Sequence, residues 1–442
     1  MPRKVLMISP HFPPDNSAGA HRVRLLAPHL PAHGWDPTVV TVDPRDYETR
    51  LDPGLAALVP DSVRVVRCRA WSPRWTRRFG VGDLGLRALT GLHGACSGLL
   101  RRERFDALFI TIYPTYPALL GPVLKRRFSM PFVLDYQDPW VGAWGQTVGG
   151  GADGRPDVRS RLSRALATKL EPPVVGAADA ITAVSELTYE QVRLRYPGIR
   201  TTPCTAIPLG GEPADFEWVR RCPRPNPYFN PKDGAFHACY VGTLWPLGVE
   251  TFRAVLRAVA LLRDRRPDLY GVLRLHFFGT SSQTRADVPP RVLPLAREVG
   301  VADRVTEVAS RIDYLDALTV QTQASALLLM GSSEPHYTAS KLYPALLSER
   351  PLLAAYHEAS SVVEVLRQLG PSPAIRLVTY GDTEPAGSRV EAIFAALVAL
   401  FAAPAADPAP ERVTTLEAYS ARALAGKLAR VLTQLSERAP RD

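Results

Sequence analysis

Cysteine is scarce in this 442-residue chain: Cys68, Cys96, Cys204, Cys222 and Cys239 are odd in number, scattered, and include no CxxC pair. That excludes a disulfide framework and a cysteine-based zinc site, and leaves the expectation of buried thiols in a reducing compartment. Long apolar runs are missing too. The longest, residues 392–403, falls well short of the ~18 residues that cross a bilayer. The run after Arg3 and Lys4 stops at Pro10, short of the roughly 7–15 residues of a secretory h-region. A soluble, cytoplasmic protein is therefore expected. HExxH, a P-loop and GxSxG are absent, and so is any Asp-x-Asp pair, so neither a resident metal nor a metal-held diphosphate is indicated.

What is present points to a two-domain α/β protein. Hydrophobic residues make up 46% and charged residues 22%, values of a chain that buries real cores, and the length suits two domains of roughly 200 residues. A net charge of +10 favours an anionic partner, whether nucleic acid, acidic lipid or a phosphorylated substrate. The basic residues sit in no reader motif, so nucleic acid is not expected.

Short apolar runs alternate with helical patterns along both halves. Residues 4–9 (KVLMIS), 35–42, 63–67, 106–112, 131–136 and 179–184 read as strands of one parallel sheet. Residues 236–240, 272–278, 304–308, 326–330 and 351–355 read as strands of a second. The proline-rich stretch 213–231 reads as a linker. Domains are thus expected at 1–215 and 216–410, with an amphipathic terminal helix in 411–442.

Several loops lie where such sheets place ligands. Gly19, in the loop PPDNSAGA after the first strand, lets backbone approach a ligand or simply makes a turn, and Arg22 follows it in the helix. Asp138 follows the strand 131–136 and is either a ligand-edge carboxylate or a turn cap. In the second half, strands run into Val241-Gly242-Thr243 and into Gly279-Thr280, and Ser340 with Lys341 opens a helix after the loop carrying Glu334. Ser340 is expected to cap that helix, and a lysine in its first turn opposes the dipole, which a phosphate site tolerates. Residues 69–104 mix Trp71, Arg74, Trp75, Arg77, Arg78 and Phe79 with a leucine-rich helix, which suits an anionic membrane surface or an ordinary solvated face.

Four stretches also resemble one family. Residues 340–354, SKLYPALLSERPLLA, are similar to the segment PSKLFEYLAAGKPVLA of retaining family 4 glycosyltransferases, and residues 12–30 follow their opening pattern FPPxxSAGAxRxxxLAxxL. Residues 207–216, IPLGGEPADF, resemble the IPNGVDxxxF exit from their first domain. Residues 111–140 resemble a subgroup ending in DFRDPW, with Asp135, Asp138, Pro139 and Trp140 matching and Gln137 in place of arginine.

The resemblance implies a GT-B fold, two Rossmann-like domains with parallel sheets facing across a cleft. It implies a retaining, metal-independent transfer from a nucleotide-sugar donor, with no further cofactor. Ser340, Lys341, Gly242, Thr243, Gly279 and Glu334 would bind the donor, Gly19 and Arg22 would form an acceptor or phosphate loop, and Asp138 would be catalytic. The acceptor would be anionic, lipid-linked or a small molecule, with peripheral contact at the inner face of the membrane. The acceptor proton would pass to the donor phosphate, and the last helix would cross back to the first domain. Two positions depart from the pattern: Leu247 replaces a diphosphate-holding lysine, and Pro344 replaces the glutamate that holds the donor ribose. They leave open an inactive homologue that only binds, and an epimerase of the same architecture is the other enzymatic reading.

Overall fold

The computed structural model describes residues 2–141, 158–281, 283–285, 287–333, 340–403 and 415–438. The first sheet holds β1 (Arg3–Ile8), β2 (Trp35–Val42), β3 (Arg64–Cys68), β4 (Ala107–Ile112), β5 (Phe132–Tyr136), β6 (Ala180–Ala183) and β7 (Cys204–Ala206). Their order is β3-β2-β1-β4-β5-β6-β7, and every neighbouring pair is parallel. The second sheet holds β8 (Phe236–Val241), β9 (Leu273–Phe278), β10 (Val305–Val308), β11 (Ala326–Met330), β12 (Leu352–His357) and β13 (Ile375–Tyr380), in the order β10-β9-β8-β11-β12-β13, again all parallel. Both are doubly wound Rossmann-like sheets. The order reverses between β1 and β4 in one and between β8 and β11 in the other, and those reversals are where such sheets open a ligand crevice.

The central strands are apolar throughout because helices cover both faces. All six residues of β4 and all five of β11 are buried. Two strands had no counterpart in the sequence reading. The three residues of β7 are half-buried, and β13, IRLVTY, is mostly half-buried, so neither carries the continuous apolar run of an inner strand.

The chain divides into two compact units, Met1–Leu209 with Ala421–Asp442, and Gly210–Ser420. The helix Ala421–Arg438 belongs to the first unit because its apolar stripe, Leu424, Leu428, Leu432 and Leu435, packs with Val23, Leu26, Leu30 and Trp35. The indole Nε1 of Trp35 donates to Thr433 Oγ1 at 3.1 Å.

The proline-rich stretch taken for a linker is partly helical. Pro213 sits at the first position of a helix Pro213–Arg221, where its missing N–H costs nothing, and Glu212 accepts from Ala214 N at 3.2 Å as the cap. Phe216 and Val219, three apart, are the buried face. Five free cysteines agree with the reading of thiols, but only Cys68, Cys96 and Cys239 are buried; Cys204 is half-buried and Cys222 exposed. Among the described residues no helix is long and apolar enough to cross a membrane, and no group of three His, Cys, Asp or Glu side chains is placed to hold a metal ion.

Candidate functional site

In the Gly210–Ser420 unit the sheet order brings Gly242, Thr243 and Lys341 together. Strand β8 ends at Val241, and the chain turns through Gly242, whose N–H donates to Phe278 O of the adjacent β9 at 2.8 Å. The Lys341 side chain lies across that turn: Nζ donates to Tyr240 Oη at 2.9 Å and to Thr243 O at 3.3 Å, and sits 5.1 Å from the Tyr240 ring centroid. The Tyr240 hydroxyl in turn donates to Thr243 O at 3.0 Å, and its buried ring packs edge-on against Phe252 at 4.9 Å. A positive charge is thus fixed over the ligand edge of the sheet by a ring that is itself locked in the core.

Gly242 is required here for space. With φ at +153°, a Cβ on it would stand 1.9 Å from Lys341 Cε and 2.3 Å from Nζ. Gly279, at the end of β9, is different. Its φ of +68° is left-handed, nothing comes closer than 4.0 Å to a Cβ placed there, and its N–H donates to Val308 O at 2.9 Å. It serves the turn.

Ser340 does not cap the helix. The helix is Leu342–Leu347, Lys341 occupies the cap position with no side-chain cap hydrogen bond, and Ser340 lies half-buried in the preceding turn. Pro344 is accommodated as the third helical residue, where an N–H has no intrahelical partner to lose. Glu334 lies outside the described residues. Leu247, in the position of the family's lysine, is 44% exposed, and its carbonyl accepts from Ser333 N at 3.0 Å.

In the first unit the site residues separate. Arg22, expected at an acceptor or phosphate loop, lies inside the unit, 1% exposed. Its Nε and one terminal nitrogen donate to the Asp135 carboxylate at 2.9 and 2.6 Å, and the other terminal nitrogen donates to Ile207 O at 2.7 Å and Pro208 O at 3.0 Å. Asp135 also accepts from Thr182 Oγ1 at 2.6 Å. The guanidinium is spent on tying the first helix to β5 and to the segment after β7, and it offers no surface to an acceptor. Gly19 precedes the helix Ala20–Leu26, and a Cβ there would land 2.1 Å from the Tyr113 ring, so this glycine makes room for a side chain of the same unit.

Asp138 follows β5, and among the described residues no donor reaches its carboxyl. Desolvation by the protein around it raises its pKa. The buried Nε2 of neighbouring Gln137 has no hydrogen-bond partner among the described residues. The basic, aromatic stretch is on the surface: Trp71, Trp75 and Phe79 are all exposed, and Arg77 pairs with Glu48 at 2.6 Å.

One polar cluster was missed by the sequence reading. The loop after β1 folds so that His11 Nδ1 hydrogen-bonds the fully buried carboxylate of Asp15. A histidine and an aspartate four residues apart just beyond a buried strand are the available signal, but the two intervening prolines exclude the helix on which that spacing is ordinarily read.

Comparison with known proteins bears on the chain as a whole. Residues 17–210 match the family described as glycosyl transferase 4-like domain. No curated protein matches the chain. The structure of HepE from Anabaena in complex with UDP-glucose superposes with a TM-score of 0.58 at 13% identity, over 98% of this chain and 100% of that one. WaaG, a glycosyltransferase involved in lipopolysaccharide biosynthesis, gives a TM-score of 0.56 at 15% identity over 97% and 99%. UDP-GlcNAc 2-epimerase from Methanocaldococcus jannaschii gives 0.50 at 12% identity over 98% and 99%. At these identities the likenesses establish the fold alone, the two Rossmann-like domains of GT-B glycosyltransferases, and the sequence match is a similarity of residues 17–210 to the glycosyl transferase 4-like domain.

Proposed function

We propose that the chain transfers a glycosyl group, a hexosyl or related sugar, from a nucleotide-sugar donor to an acceptor, without a metal and with retention at the anomeric carbon. The observation that carries this reading is the Lys341 ammonium held over the Gly242–Thr243 turn, on a chain whose residues 17–210 match a glycosyltransferase domain. The donor diphosphate would lie at that charge, with Ser340, Gly279 and the loop carrying Glu334 around it. Fixed charge and backbone N–H groups then stabilise the negative leaving group without reorganising, which is the work a metal does elsewhere.

The Met1–Leu209 unit would hold the acceptor, with Asp138 at the reacting end. Exposed Trp71, Trp75 and Phe79 with Arg74 and Arg78 suit a lipid-linked or otherwise anionic acceptor at the inner, cytoplasmic face of a membrane. A second reading, binding without turnover, is favoured by Leu247 and Pro344, which remove two donor contacts of the family pattern.

Thermal shift against UDP, GDP, dTDP and ADP and their sugars tests donor binding. A ligand at 100 times its dissociation constant adds about 2.7 kcal/mol of stability. One nucleotide sugar is expected to stabilise the protein equally with and without chelator, and release of its nucleoside diphosphate separates turnover from binding alone. No shift with any of them refutes the proposal, and a shift that chelator abolishes refutes metal independence.

A further inference from the structure

A cleft of about 480 Å³ opens where two helices of the first unit end, Leu84–Arg102 and Leu120–Phe128. Arg101, Arg102, Glu103 and Arg104 line it from one segment, and Phe128, Ser129 and Met130 from the other. Strands β4 and β5 begin just after these residues, at Ala107 and Phe132, so the cleft lies at the N-terminal edge of the sheet. That is the edge opposite the ligand crevice. The helix Leu84–Arg102 has 19 residues and is about 28 Å long, which sets the cleft that far from the end where the exposed aromatic stretch joins it.

The charge here is unbalanced. Arg101, Arg102 and Arg104 are exposed, as are Arg126 and Arg127 in the last turn of the second helix, and among the described residues none of the five pairs with a carboxylate. The carboxylates at this edge are already taken: Glu103 accepts from Arg64 Nη1 at 2.8 Å and from Lys4 Nζ at 3.5 Å, and Asp106 accepts from Lys4 N at 2.7 Å. Other exposed arginines are matched locally, as Arg265 is by Glu391 at 2.8 Å and Arg285 by Asp287 at 2.6 Å. Helix ends attract cations, but each carries only about half a negative charge, so two of them offset roughly one of the five guanidinium charges. Arg104 lies beyond its helix in any case. The Arg127 guanidinium sits over the ring of Phe128, a residue of the cleft wall, at 5.5 Å.

We propose that this cleft is an anion site separate from the donor crevice, and that it takes a small free molecule carrying two or more phosphate groups. A guanidinium fork meets phosphate oxygens two at a time, so three forks on one cleft hold more than one phosphate. The concave wall suits a free ligand better than the flat headgroup plane of a bilayer, and the exposed Trp71, Trp75 and Phe79 that would enter a bilayer lie towards the other end of the helix. Binding relieves the mutual repulsion of the five charges, so the ligand stabilises the folded first unit. The inference stands whether or not the chain transfers sugar.

The test titrates inorganic pyrophosphate into the full chain by calorimetry, with Lys341→Met present throughout so that a diphosphate at that lysine does not enter the signal. Arg101, Arg102 and Arg104 are changed together to Gln, and, as a charge-matched control, so are the exposed Arg257, Arg297 and Arg430. The cleft variant is expected to lose about tenfold or more in pyrophosphate affinity, and the control to stay within about twofold. Thermal unfolding without ligand checks that both fold, and Arg104→Gln alone, beyond the helix end, serves if the triple variant does not. A Lys341→Met protein that binds no pyrophosphate overturns the inference, as does a folded cleft variant that binds it as tightly as the control. Flotation on phosphatidylglycerol vesicles separates the two sources of phosphate. Equal flotation of cleft variant and control is expected; a cleft variant that loses flotation but keeps pyrophosphate overturns the inference in favour of a lipid surface.

Discussion

Replacing Arg22 with alanine should damage stability rather than ligand binding. The side chain is 1% exposed, and its removal leaves the equally buried Asp135 carboxylate with Thr182 Oγ1 as its remaining side-chain donor and deprives Ile207 O and Pro208 O of theirs. Breaking a buried ion pair on one side costs about 3–5 kcal/mol, because the stranded charge keeps its desolvation penalty without its partner. At about 2–4 °C per kcal/mol for a unit of this size, the first unit's unfolding should move down by roughly 6–20 °C. Removing both charges, as Arg22→Met with Asp135→Leu, leaves no stranded ion and should recover most of the loss. The assay is thermal and urea unfolding of wild type, both single variants and the double, each with and without donor. If Arg22→Ala unfolds within about 1 kcal/mol of wild type while losing activity, Arg22 is a ligand residue and the reasoning fails.

Three further outcomes follow from the second unit. Lys341→Met removes a charge-assisted contact worth about 1.5–3 kcal/mol, so nucleoside diphosphate affinity should fall roughly 10- to 100-fold while the bare nucleoside binds as before; equal loss of both would show a residue with no phosphate role. Gly242→Ala should fold, because the atom it meets is the movable end of Lys341, but it should weaken diphosphate binding by displacing that end; unchanged affinity in isothermal titration would refute the close-packed turn. Burial, with help from His237, holds His276 down at about 4 against an ordinary 6.5. The unfolded chain therefore gains a proton that the native state refuses as pH falls from about 6.5 towards 4, a loss of up to roughly 3 kcal/mol. His276→Phe should flatten the dependence of the urea midpoint over that window, and an identical slope in both proteins would assign the loss to other groups.

The strands of both sheets were legible because an inner parallel strand must be apolar on both faces, and stretches such as ALLLM at Ala326–Met330 have no other soluble use. The glycine turns were legible for a related reason: Gly242 and Gly279 stand immediately after such runs. What failed to read was local structure that depends on position. Residues 213–221 look like a linker by their prolines, and they become a helix because Pro213 falls at its first residue and Phe216 and Val219 find a core. Ser340 looks like a cap, but the helix starts two residues later, with Lys341 in the cap position.

The sequence by itself determined the fold class, through alternating apolar runs and helical segments. Only the tertiary structure decided which polar residues meet. Lys341 reaches Tyr240 and Thr243, about a hundred positions earlier, because β11 pairs with β8. Arg22 was drawn inside by Asp135, 113 residues away, and His11 was paired with Asp15, whose carboxylate Thr49 also holds. A pattern of hydrophobicity is a property of the chain, whereas a hydrogen bond between distant residues exists once the sheet order has brought its two ends to the same edge.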